Sequence, residues 1–293
     1  MDTYLKSIAD VPQPRRTQAT PDLRIVPVDH LIPHEFADEQ RSSPLAKSLP
    51  RDGILKNPPV VAELDPAQQT FIVLDGANRV TAFKQLGYSD ILVQVTPYEA
   101  PFVELHTWYH VVSEVSAGQI ESHLRELQDL EIDEANILHA RAELARRAIL
   151  AYCIFADGKV ITLAGGGMDL RRKTELLQAI VDAYINTGRL ERTNSENLTE
   201  LVNTYPELTA AFIFPQYELV EVMDVTQSGF KLPPGLTRHI VHGRALRLNY
   251  PLDDLTGSQS LEAKNAHLTE WVQDRFRQRR VRFYAEATYL FDE

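Results

Sequence analysis

Cysteine is almost absent from this 293-residue sequence. Cys153 stands alone, which rules out an intrachain disulfide and a cysteine zinc cluster. A membrane-spanning run is missing as well, since no stretch approaches the roughly 18 consecutive apolar residues that such a helix needs. The opening stretch MDTYLKSIADVPQPRRTQATPD holds no apolar core of a signal peptide. Residues 1–20 are therefore expected to form an unstructured arm. Positive charge is in deficit: 30 Lys and Arg face 41 Asp and Glu, a net charge of −11. That balance weighs against a dedicated DNA binder, which usually carries a basic domain. The arginines at 275, 277, 279, 280 and 282 are a local exception, read as the solvated face of a last helix. Internal repeats and low-complexity tracts are lacking too. Together these absences point to a cytoplasmic protein with no membrane contact and with nucleic acid an unlikely partner.

Hydrophobic residues at 44% and charged residues at 24% are ordinary for a globular protein, and the length allows one large domain or two modest ones. Alternation in LRIVPVDHL predicts a short strand at 23–27. A short helix follows over 41–49, stopped at Gly53. PPVVAEL (58–64) and TFIVL (70–74) are β-branched, apolar strands joined by Asp65-Pro66 turn chemistry. A helix over 78–86 ends at Gly87, and 91–95 forms another strand. Beyond residue 97 the pattern changes. The apolar face of Leu176, Leu177, Ile180, Val181 and Tyr184 predicts a helix over 173–186 with Gly188 as its stop. Strands are expected at 210–214 and 219–225, a hairpin around His242-Gly243 with 245–248 as one arm, a helix at 261–278 and a last strand at 281–290. In that hairpin Arg244 and Arg247 would alternate on an exposed face. The fold class expected is α+β in both of two domains, 21–110 and 111–293.

The sequence LDGANR (74–79) joins an apolar strand to a helix. Glycine permits a tight turn, and the exposed amides of a helix N-terminus favour an anion. Arg79 adds a permanently charged fork suited to phosphate, and Asp75 could hold a metal or orient a hydroxyl. Gly165-Gly166-Gly167 looks superficially like a phosphate loop but lacks the Gly-Lys-Ser/Thr ending, and reads as a flexible connection.

GILKNPPVV (53–61), FIVLDGANR (71–79) and the helix ending LGY (86–88) stand in the order of a ParB/sulfiredoxin-type phosphate-binding module. DGANR resembles the Asp-Gly-x-His-Arg turn of the free L-serine kinases built on that module, with Asn78 in place of the histidine. VPVDHL…HE, TWYH (107–110), LPPGLTR (232–238), HGRALRLNYPL (242–252) and ATYLF near the end extend the resemblance, most strongly to a siderophore-pathway member of the group. A sulfiredoxin-type reductase does not fit, because its turn needs a cysteine.

The resemblance implies an ATP- or ADP-dependent kinase making O-phospho-L-serine, with its active site in the cleft between the two domains. It implies catalytic roles for Glu35, Asp75 and Asn78, with Glu35 as the base for the serine hydroxyl and Asp75 on Mg²⁺. Nucleotide would meet Gly53, Leu55, Lys56 and Pro58 from one segment, and Gly76, Ala77, Asn78 and Arg79 from the turn. Serine would meet Trp108, His110, Thr237 and Arg238. A carboxylate within reach of a weakly nucleophilic hydroxyl is the chemistry such a transfer needs. Plainer readings stand beside these. Trp108 could be a core residue at a domain junction, Arg238 a surface ion pair, and His34 a structural neighbour of Glu35. The product would feed 2,3-diaminopropionate for a siderophore, or cysteine synthesis. The alternative for the whole chain is a ParB-like nucleotide-binding transcriptional regulator without kinase activity.

Overall fold

A computed structural model describes residues 20–36, 39–167 and 169–284. The expected arm at 1–20 and the ATYLF segment lie almost wholly or wholly outside them, as does most of the strand expected at 281–290. The described part of that stretch, 281–284, is not a strand.

Two sheets organise the chain. The first has five strands in the order Asp22–Pro27, Asp90–Val95, Val60–Asp65, Thr70–Asp75 and Leu31–Pro33. Leu31–Pro33 runs parallel to Thr70–Asp75 with Pro33 opposite Val73, while Val60–Asp65 and Thr70–Asp75 are antiparallel. The run Phe71-Ile72-Val73-Leu74 is apolar without interruption because both faces of its strand are covered. Phe71 and Val73 enter one core and Ile72 and Leu74 another. The helix Glu39–Asp52 ends at Gly53, whose φ of +64° and amide bond to the Leu49 carbonyl make the stop expected from the sequence. Ala77–Gln85 and Leu261–Arg277 pack on the same core. Tyr250, Leu252, Leu255 and Leu268 belong to it, so the chain returns at its end to the first sheet.

The second sheet has six strands in the order Arg189–Thr193, Tyr109–Ser113, Leu208–Ile213, Ala151–Phe155, Val160–Gly165 and Leu130–Glu134. Helices Ala117–Arg125 and Leu170–Ile185 cover one face, and Ile137–Ala145 and Leu198–Thr204 the other. A separate ribbon, Val103–Thr107 paired with Thr237–Val241, lies against the far face of the first sheet. Trp108 is the single residue between this ribbon and the strand Tyr109–Ser113, and so links the two halves of the molecule.

Two expectations fail here. The stretch at 219–225 is a helix, Leu219–Gln227. Its valines suggested a strand, but Val222 and Val225 fall on one buried helical face, and Glu218 and Glu221 form a capping box at its start. The hairpin arm at 245–248 does not exist. After the strand Thr237–Val241 the backbone is irregular through 249, with positive φ at Arg247 and Asn249, a conformation that breaks strand alternation.

Candidate active site

The turn at Asp75 is built by one glycine. Gly76 caps the helix Ala77–Gln85 at φ +91°, without any side-chain cap, so the helix presents its first amides unshielded. Arg79 folds back over Gly76 so closely that an added Cβ would lie 2.9 Å from its Nη2. That guanidinium binds Asp75 Oδ2 at 2.8 Å and the carbonyls of Asn57 and Pro58 at 2.5 and 3.3 Å. Burial pushes the Arg79 pKa down, with Asp75 opposing and the charge of Arg244 adding to the depression. Arg244 is the residue the sequence reading misplaced. Its guanidinium hydrogen-bonds the same Asp75 Oδ2, and its Nε is buried without a partner among the described residues. Two guanidinium groups thus share one carboxylate oxygen, leaving a net positive charge beside an open helix N-terminus.

That charge imbalance suits a polyphosphate. Asp75 Oδ1 makes no hydrogen bond among the described residues, and no cluster of three or more acidic, His or Cys ligands occurs there. A lone carboxylate of this kind fits Mg²⁺, which usually takes one or two protein carboxylates and completes its shell with phosphate and water. Asn78 lies in the first helical turn, part-exposed, with no side-chain hydrogen bond among the described residues.

Glu35 is held in a cradle from the far end of the chain. Its Oε2 accepts the Gly235 amide at 2.7 Å, and Oε1 accepts the Thr237 amide and hydroxyl at 2.6 and 2.5 Å. Beside it the Phe36 amide donates to the Leu232 carbonyl at 3.0 Å and the Leu232 amide to the His34 carbonyl at 2.8 Å, so that Glu35 and Leu232 form a parallel bridge. A carboxylate offers about four lone-pair sites, so one on Oε2 is left for a substrate proton. Thr237, two residues after the Pro233-Pro234-Gly235 turn, directs its amide and hydroxyl to Glu35.

The remaining residues fall into two groups. Arg238 stacks on the Trp108 ring at 4.4 Å, and the Trp108 amide binds the Leu236 carbonyl at 2.7 Å. Trp108 is thus both at the junction and beside the Glu35 cradle. His110 is fully buried, with its ring nitrogens at 2.8 Å from the Tyr184 hydroxyl and 3.2 Å from the Gly235 carbonyl. Burial pushes its pKa down to about 3. It supports the Gly235 turn from behind, and offers no free nitrogen to a ligand. Leu55 is likewise buried in the first core, and Gly53 gives its carbonyl to the Leu252 amide at 3.0 Å. Lys56 is exposed and pairs with Asp52 at 3.5 Å. Pro58 meets the turn through Arg79, as does its neighbour Asn57. The triple glycine is structural: a Cβ on Gly165 would lie 2.3 Å from the Asp129 carbonyl oxygen.

Fold and site together define the class, an α+β protein with the fold of the free serine kinases, in which a cradled glutamate and a strand–glycine–helix turn follow two neighbouring parallel strands. No family model matches the chain. The particular likeness is to SbnI, the ATP-dependent L-serine kinase of Staphylococcus aureus, 25% identical over 278 residues, or 92% of this chain and 97% of SbnI. A solved structure of C-terminally truncated SbnI superposes with a TM-score of 0.67 at 21% identity, covering 87% of this chain and 97% of that one. An ATP-dependent L-serine kinase of Staphylothermus marinus is 30% identical over 104 residues, 36% of this chain and 39% of its own length. The structure of a free serine kinase in complex with AMP gives a TM-score of 0.68 at 19% identity, over 81% of this chain and 95% of that one. The resemblance read from the motifs thus extends along nearly the whole chain.

Proposed function

We propose that this protein is an ATP-dependent L-serine kinase that makes O-phospho-L-serine. One observation carries the reading. Glu35 and the Asp75–Arg79 turn leave the same ends of two adjacent strands, because Leu31–Pro33 and Thr70–Asp75 pair in parallel with Pro33 opposite Val73. A carboxylate base and a phosphate site therefore lie side by side, about one strand spacing of ~5 Å apart at their roots. The whole-length similarity to proteins named as L-serine kinases supports the same conclusion.

In this reading the nucleotide phosphates rest on the amides of Ala77 and Asn78. Arg79 and Arg244 balance their charge. Asp75, through Oδ1, would hold Mg²⁺, which when bound would supply charge neutralisation for the phosphates. Glu35 Oε2 takes the serine hydroxyl proton, while Trp108 and Arg238 flank the amino acid and supply a cation for its carboxylate. Lys56 and Pro58 border the nucleotide, with Gly53 and Leu55 as the frame behind them. His110 keeps the Gly235 turn in place. O-phosphoserine carries a phosphate leaving group, which suits a later β-replacement such as cysteine or 2,3-diaminopropionate synthesis requires. Incubation with Mg²⁺, L-serine and either ATP or ADP, followed by mass spectrometry, tests the proposal. Phosphoserine with ATP is the expected result. Its absence with both nucleotides, in protein that still binds them, would favour the regulator instead.

A further inference from the structure

Behind Glu35 runs a row of polar groups, part-buried at Thr237 and buried at His34, that the transfer itself does not call for. Thr237 Oγ1 lies 2.5 Å from Glu35 Oε1 and 2.6 Å from His34 Nε2. His34 Nδ1 in turn lies 2.6 Å from the Val73 carbonyl, and the imidazole is only 4% exposed. A carbonyl only accepts, so Nδ1 bears a proton. The threonine hydroxyl has a single proton and cannot donate it to both neighbours. With Nε2 bare and Glu35 ionised, one of these two short contacts would set lone pair against lone pair in a part-buried site. Both become hydrogen bonds when the row holds one more proton, on His34 Nε2 or on Glu35. The Gly235 and Thr237 amides aimed at Glu35 complement its ionised form, and the imidazolium would find an acceptor at each nitrogen.

We infer that His34 holds this proton as an imidazolium, bridged by the Thr237 hydroxyl to the Glu35 carboxylate. His34 and Thr237 are then positioning residues that keep the base ionised and aimed. The surroundings agree with one charge at His34. The His239 ring meets His34 edge-on at 5.0 Å, and burial, with the neighbouring His34, pushes the His239 pKa well below the ordinary range. Tyr98, whose hydroxyl lies 2.9 Å from His239 Nε2, is pushed upward by burial and stays neutral. Within electrostatic reach of Glu35 is Tyr217, also pushed upward by burial, and the Arg192 guanidinium packs against Gly235, whose amide Glu35 accepts. A carboxylate is thus flanked by cations and neutral hydroxyls.

The kinetic consequence rests on Glu35 being the base of a serine kinase, whereas the protonation state does not. Nitrogen-15 NMR of the histidine-labelled full chain at neutral pH should show His34 protonated on both ring nitrogens. Thr237→Val, which keeps the backbone amide and the side-chain shape, should lose the Nε2 proton. In phosphoserine formation Thr237→Val should lower kcat by about 10–100-fold, the range for losing a hydrogen bond to a charged group. It should also displace the alkaline limb of the kcat profile with little change in nucleotide KM. Thr237→Ser should restore both rate and profile. A His34 with one bare nitrogen at neutral pH would overturn the proposal, as would a Thr237→Val enzyme with the wild-type rate and profile. If no variant, wild type included, makes phosphoserine, the kinase reading falls and the NMR result alone decides the state of the row.

Discussion

Arg244 shows how far a residue's neighbours can lie from it in sequence. It stands 169 positions from Asp75, so no local pattern could pair them, and an alternating strand was the natural reading of ALRL. DGANR, by contrast, was legible because glycine, helix start and arginine all act within five residues. Glu35 was legible only through resemblance, since its amide donors come from about 200 positions away. Arg244→Ala should weaken ADP binding by about 10–100-fold, as loss of a charge-assisted contact implies. Calorimetry at fixed Mg²⁺ reads this, and an unchanged Kd would place the phosphates elsewhere. Asn78 is the other residue to test. A histidine in its place could donate to the transferred group as charge moves, a contact made mainly in the transition state. Asn78→His should therefore raise kcat and leave the serine KM nearly unchanged. Steady-state kinetics decides it, and a slower enzyme would show that the asparagine has a positive role.

At the scale of elements, four of the first sheet's five strands were readable because they are short, β-branched and punctuated by Gly53, Gly87 and Asp65-Pro66, whereas the three-residue strand Leu31–Pro33 was missed. The second sheet was mostly missed. Its inner strands, such as Ala151–Phe155 with all five residues buried, are covered on both faces and lose the alternation that marks a strand. The helix Leu219–Gln227 was mistaken for a strand for the converse reason, since β-branched composition outweighed a 3.6-residue period. Gly165 offers a check at this scale. It closes the strand Val160–Gly165 at φ +144°, against the Asp129 carbonyl and the Leu176 side chain. Gly165→Ala should cost about 1–3 kcal/mol from the backbone conformation alone, with the clash added. Urea unfolding measures that loss, and nucleotide affinity should not change if the triple glycine only joins two elements.

At the scale of the whole molecule, segments far apart in the sequence meet around Glu35 and Asp75. The first sheet carries Glu35 and the Asp75–Arg79 turn, and the segment from Leu232 to Arg244 supplies hydrogen-bond donors to both. The pH dependence of stability is a property of this whole. His110 titrates near 6.5 when unfolded and, held neutral by burial, near 3 when folded. Between those values the unfolded chain binds more protons, so acid destabilises the fold by about 1.4 kcal/mol per pH unit, while above 6.5 the group contributes no slope. Between pH 7 and pH 5 the wild type should lose about 2 kcal/mol more than His110→Gln does. Denaturant curves at the two pH values give the difference, and equal losses would mean that His110 is not buried neutral. The most direct test of the kinase account is phosphorus-31 NMR of ATP, Mg²⁺ and L-serine with wild type and Glu35→Gln side by side. The account predicts a growing phosphoserine signal from the wild type and a rate about 10²–10⁴-fold lower from the variant, with fold and ADP affinity intact. Phosphoserine formed at equal rates by both proteins, or by neither, would contradict it.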